Sequence, residues 1–91
     1  MQRTSDADAA GARAAAAERP DDVAAQTLVA DLDLLGGHVN DAFARLLDLV
    51  RRTSGDERDR ARLHLLELFA VVGNDDPRVL AGRRDLASAL F

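Results

Sequence analysis

The sequence predicts an all-α chain of antiparallel αα-hairpins, an array of about five helices. Three observations carry that expectation. Ala and Leu dominate while β-branched residues stand singly, no segment sustains the apolar/polar alternation of a half-buried strand, and apolar residues recur at helical spacing. At 91 residues the chain buries only about 60 to 65% of its unfolded surface, which allows a single two-layer core and no large enzymatic cleft.

The first helix is expected from about Ser5, an N-cap followed by Asp6 and Asp8, to about Glu18, ahead of Pro20. Its apolar face is almost entirely Ala, so it is the least secure element. The second opens at Pro20-Asp21-Asp22, where acids favour the positive end of the helix dipole, and closes at Gly36-Gly37. Its predicted stripe is Ala24, Leu28, Leu32 and Leu35. The third follows His38, puts Val39, Phe43, Leu46, Leu47 and Val50 on one face, and ends near Thr53-Ser54-Gly55. The fourth, opened by Asp56-Glu57, repeats those spacings with Ala61, Leu65, Leu68, Phe69 and Val72, so the two are expected to share a core. It stops at Gly73-Asn74-Asp75-Asp76-Pro77, which also supplies an Asp and a Pro for the start of the fifth. That helix carries Val79, Leu80, Leu86, Ala87 and Leu90. Short connections make successive helices antiparallel, which fits both an up-and-down bundle and a solenoid.

A repeat register separates these two. With Pro20 closing one repeat and Val23 opening the next, Ala30 and Ala42 fall where two helices must approach closely. Gly37 falls at the turn, Val39 at a usual aromatic position, and Leu46 and Leu49 on the packing face. Residues 23–54 resemble one tetratricopeptide repeat, a helix pair of about 34 residues. The resemblance implies a right-handed helical array forming a single domain over 1–91. Residues 5–19 are then the orphan second helix of a preceding repeat, 21–54 one repeat, and 56–91 a capping helix pair, since His64 and Asp76 occupy the small positions.

The segments Glu67-Leu68-Phe69, Gly73-Asn74-Asp75-Asp76-Pro77 and Gly82-Arg83-Arg84-Asp85-Leu86-Ala87-Ser88-Ala89-Leu90-Phe91 resemble the C-terminal end of the YbbN-type thioredoxin-like co-chaperones, the chaperedoxins. Arg19-Pro20-Asp21-Asp22 and Gly55-Asp56-Glu57-Arg58 are similar to that family too, so the resemblance spans about residues 15–91. Its most specific part is the Arg-Arg-x-Leu-x-x-x-Leu-aromatic ending. The resemblance implies a non-catalytic interaction module of a holdase, whose partners are chaperonin, unfolded client proteins and its own thioredoxin domain. That upstream domain is expected to be absent from this chain. The last helix, from Pro77 to Phe91, is by the same resemblance the chaperonin contact. The alternative is a structural module for homodimerisation or for packing on the thioredoxin domain, using the Ala-rich first helix and exposed leucines.

Charge and composition limit the other classes. Twelve Arg and no Lys stand against sixteen acids, a net charge of −4, which disfavours nucleic acid. Residues 1–35 carry a balance of −4 and residues 36–77 of −2, whereas residues 78–91 are +2, with Arg78, Arg83 and Arg84 against Asp85. There is no cysteine for a disulfide, a thiolate metal site or a redox dithiol. No apolar stretch reaches the roughly 18 residues of a membrane span, and Met1-Gln2-Arg3-Thr4-Ser5-Asp6 has no signal-peptide apolar region, so a cytoplasmic location is expected.

The candidate protein-contacting residues are Arg83, Arg84, Leu86, Leu90 and Phe91 at the C-terminus, and Thr27, Asp31 and Leu34 in the groove that first helices of a solenoid form. Leu90 and Phe91 are expected to clasp helix four, with a presented anchor as the alternative. Two histidines, His38 and His64, on separate elements do not make a metal site, and Asp21-Asp22 and Asp75-Asp76 read as helix starts. No nucleophile elbow, phosphate loop or nucleotide fingerprint occurs, so neither enzyme activity nor a cofactor is expected.

Overall fold

The computed structural model describes the backbone of residues 2–91 and the side chains from Ala9 onward. The elements are α1 (Gln2–Glu18), α2 (Val23–Leu35), α3 (Val39–Arg52), α4 (Gly55–Val72) and α5 (Pro77–Leu90), with no strand among the described residues.

Helix boundaries follow local chemistry. Asp22 caps α2 by accepting the Ala25 N–H at 3.0 Å, and Gly37, at φ +85°, makes the turn into α3 that a β-carbon would oppose. Arg51 and Arg52 in the last turn of α3 complement the negative end of its dipole. Asp76 caps α5 by accepting the Arg78 N–H at 2.8 Å, with Pro77 in the first turn as expected. α1 departs from expectation: it begins at Gln2, ahead of Ser5, so Ser5 lies within the helix rather than at its cap. The side chains of Ser5, Asp6 and Asp8 lie outside the described residues.

The helices form two layers. α2 and α4 run side by side in one; α1, α3 and α5 make the other, and the Cα trace measures 41 × 29 × 15 Å. α3 is central, packed on α2, α4 and α5, whereas among the described residues α1 packs on α2 alone. The predicted shared core of α3 and α4 is present. Phe43, Leu46, Leu47 and Val50 are buried on α3 and Ala61, Leu65, Leu68 and Phe69 on α4, with Val39 and Val72 half-buried at the ends. Phe43 and Phe69 meet edge to face at 4.9 Å, an arrangement worth about 0.5–1.5 kcal/mol beyond area burial. Ala30 and Ala42 are fully buried, as the register of close approach requires. On α5, Val79, Gly82 and Leu86 face inward, while Leu80 and Ala87 are exposed.

α2 is the principal correction. Its predicted stripe faces away from the core: Ala24, Leu28 and Leu35 are exposed, Leu35 by 84%, and Leu32 is half-buried. Val23, Gln26, Val29, Ala30 and Asp33 are buried instead. At about 100° per residue, Leu28 and Leu35 stand on the opposite side of the helix from Gln26 and Asp33. The reason is steric. Ala30 and Ala42 are both wholly buried in the core that α2 and α3 share, and burial of the small residue Ala30, which allows close helix approach, turns the leucines outward.

Candidate functional site

The C-terminal contact residues divide by position. Leu86 is buried in the core, and Leu90 is half-buried against it. Arg83 lies with its guanidinium carbon 5.3 Å from the centroid of the Phe69 ring and donates to Asn74 Oδ1 at 2.8 Å. It therefore fixes α5 to the end of α4 as well as carrying charge. Arg84 is exposed, and Phe91 is exposed in full. The expected clasp of Phe91 onto helix four is absent. The Phe91 N–H still bonds to Ala87 O at 3.1 Å, so the chain continues the helical course and does not turn back toward α4. Beside it, Arg62 and Leu66 of α4 and Leu86, Ala87 and Leu90 of α5 line a shallow trough of about 250 Å³. This is an apolar trough with an aromatic ring at its rim and guanidinium groups beside it.

The groove residues lie where α2 meets α4. Thr27 is half-buried and donates to its own helix at Ala24 O (3.1 Å). Leu34 packs against the core. Asp31 meets His64 Nε2 of α4 at 2.7 Å, so its carboxylate already ties the two first helices together. His64, expected at a surface or crossing position, is that crossing contact.

Sequence reasoning missed a polar cluster between α1 and α3. Asp33 Oδ1 accepts from Arg13 Nη1 of α1 at 2.8 Å, and Oδ2 accepts from Arg45 Nε of α3 at 3.3 Å. Arg45 Nη1 donates to Gln26 Oε1 at 2.8 Å, while Gln26 Nε2 donates to Ala16 O at 2.9 Å. Asp33 and Gln26 are 5% and 3% exposed, so these bonds satisfy polar groups largely withdrawn from water. They floor a cleft of about 510 Å³, with Arg52 at one end donating to Asp21 and to Pro20 O. The signal was in the repeat register. In the pattern Trp-x2-Leu-Gly-x2-Tyr, Gln26 and Asp33 occupy the two aromatic positions, where large rings are expected.

A tetratricopeptide repeat family model matches residues 2–91. The chain belongs to the tetratricopeptide repeat family. Uncharacterized proteins of Mycobacterium bovis and Mycobacterium tuberculosis are each 52% identical to it over 71 residues, covering 78% of this chain and 23% of the relative. The chain thus spans about a quarter of the length of the curated relatives it matches. No solved structure matches it. Tetratricopeptide arrays present extended surfaces for binding other proteins, and their family is generally without catalytic activity. Among the described residues no group of three or more His, Cys, Asp or Glu side chains stands together to hold a metal ion.

Proposed function

We propose that this tetratricopeptide domain is the interaction module of a cytoplasmic thioredoxin-like co-chaperone, docking chaperonin through its C-terminal helix while its other faces help hold client segments. The observation that carries the reading is the full exposure of Phe91 at the trough of Leu66, Ala87 and Leu90, flanked by Arg62 and Arg83, with the exposed Arg84 on the same helix. A terminal aromatic next to an apolar trough is the kind of anchor that dominates binding, and the neighbouring arginines suit an acidic partner surface. The resemblance of residues 15–91 to the chaperedoxins supplies the identity of the partner.

Purified chaperonin captured on the immobilised chain tests this. Phe91→Ala and Arg84→Glu are the informative variants, because neither side chain supports the core, whereas Arg83 braces Phe69. The expected result is capture by the parent and a loss of roughly tenfold or more in Phe91→Ala, at an unchanged melting temperature. Absence of capture by the folded parent overturns the chaperonin assignment.

The exposed leucines of α2 favour a second reading, a packing surface for the thioredoxin domain or for a second copy of the chain. Sedimentation across a wide concentration range separates the homodimer from the monomer.

A further inference from the structure

Ala25, Leu28, Leu32 and Leu35 lie on one side of α2 at alternating steps of three and four residues, the spacing of a helix-packing seam. The seam is open. Leu28 is 51% and Leu35 84% exposed, while the buried residues of α2, Val23, Gln26, Val29, Ala30 and Asp33, lie on another face. Alongside it, Ala12, Ala15 and Arg19 of α1 and Ala24, Ala25 and Leu28 of α2 line a trough of about 350 Å³.

The array itself contains the template for what fills this trough. α2, a first helix, packs on α3, the second helix of its own repeat, and on α4, the next first helix. Moving that relationship back by one repeat replaces α3 by α1 and α4 by α2. A helix so placed lies against α1 and α2 together, over the trough and the leucine seam.

We infer that the α1–α2 face is a socket for one more first helix, an amphipathic helix ahead of α1 whose large apolar side chains enter the alanine-walled trough and cover Leu28, Leu32 and Leu35. Two further observations agree. By the repeat register α1 falls at a second-helix position, and among the described residues it packs on α2 alone, without the first-helix contact that α3 has with α2. The mycobacterial relatives are about four times as long as the matched segment, which leaves ample chain for further repeats. The socket lies at the opposite end of the array from the chaperonin contact proposed above, so either can fail without the other.

The test fuses a first helix with the pattern Trp-x2-Leu-Gly-x2-Tyr, followed by a short turn, ahead of Gln2 of the full chain. Hydrogen exchange and thermal melting are read with and without Leu28→Asp/Leu35→Asp. The expected result is at least about tenfold slower exchange across α1 in the fusion and a melting temperature higher by several degrees. Both gains disappear in the double variant, which leaves the unfused chain unchanged because both leucines are exposed there. A fusion no more protected than the parent overturns the inference. So does an unfused chain that sediments as a dimer and becomes monomeric on Leu28→Asp, since the seam is then an interface between copies.

Discussion

Gly82 of α5 faces the Phe69 ring of α4 so closely that a β-carbon at Gly82 would stand 2.7 Å from Cε1 and 2.9 Å from Cζ. Phe69 has no room to retreat. It is fully buried, with the edge-to-face contact of Phe43 on one side and the Arg83 guanidinium on another. Gly82→Ala is therefore expected to destabilise the fold by about 1–3 kcal/mol through overpacking, despite the better helix propensity of alanine. Urea unfolding checks this, and a variant as stable as the parent would show that the α4–α5 crossing adjusts freely.

The bonds of Asp33 predict an uneven response to mutation. Asp33→Asn removes the charge shared by two arginines and is expected to cost about 1–3 kcal/mol, with the loss felt in both α1 and α3. Arg13→Met keeps the apolar stem and leaves Arg45 on Asp33. Since the Arg13 side chain is 47% exposed, its loss is expected to cost less than about 1 kcal/mol. Hydrogen exchange measured by peptide resolves the two cases. Faster exchange confined to α1 is expected in Arg13→Met, because Arg13 is the α1 side chain that bonds to Asp33 while Arg45 of α3 keeps its own bond.

The cap of α5 predicts a pH dependence. The Arg78 guanidinium and the Arg78 backbone N–H, both bonded to Asp76, hold its carboxyl at about 2, below the ordinary 3.8. The folded-state value is the lower one. Its contribution to stability is therefore complete above about pH 3.8 and is lost as pH falls through about 2. Carboxyl chemical shifts followed through an acid titration should show Asp76 titrating near 2 in the parent. In Arg78→Ala the midpoint should move up toward the ordinary value.

The contact between His64 and Asp31 should appear as a coupling between α2 and α4. Both side chains are partly exposed, so a double-mutant cycle with His64→Ala and Asp31→Ala is expected to give roughly 0.3–1 kcal/mol. A coupling of zero would mean that the two first helices are held by apolar packing alone.

Most element boundaries were legible because their signals are local. Asp21-Asp22 and Asp75-Asp76 mark helix starts as expected, and the faces of α3 and α4 were readable because each buries one apolar stripe. α2 was misread because it carries a leucine face and a polar face, and hydrophobicity alone selects the former. The repeat register pointed the other way, since it placed Ala30 at the buried crossing. The polar cluster joins Arg13, Gln26, Asp33 and Arg45 from three helices, and no local pattern brings those residues together.

By itself the sequence determined the helical class, the helix-pair repeat, the starts of α2 and α5 and the apolar faces that α3 and α4 share, all of which are read from residues a few positions apart. Only the tertiary structure decided which face of α2 is buried, that Arg83 braces Phe69, and that Phe91 projects free of α4. These outcomes depend on which helix crosses which, and how closely. Close approach at Ala30 and at Gly82 sets that geometry, and the exposure of the surrounding side chains follows from it.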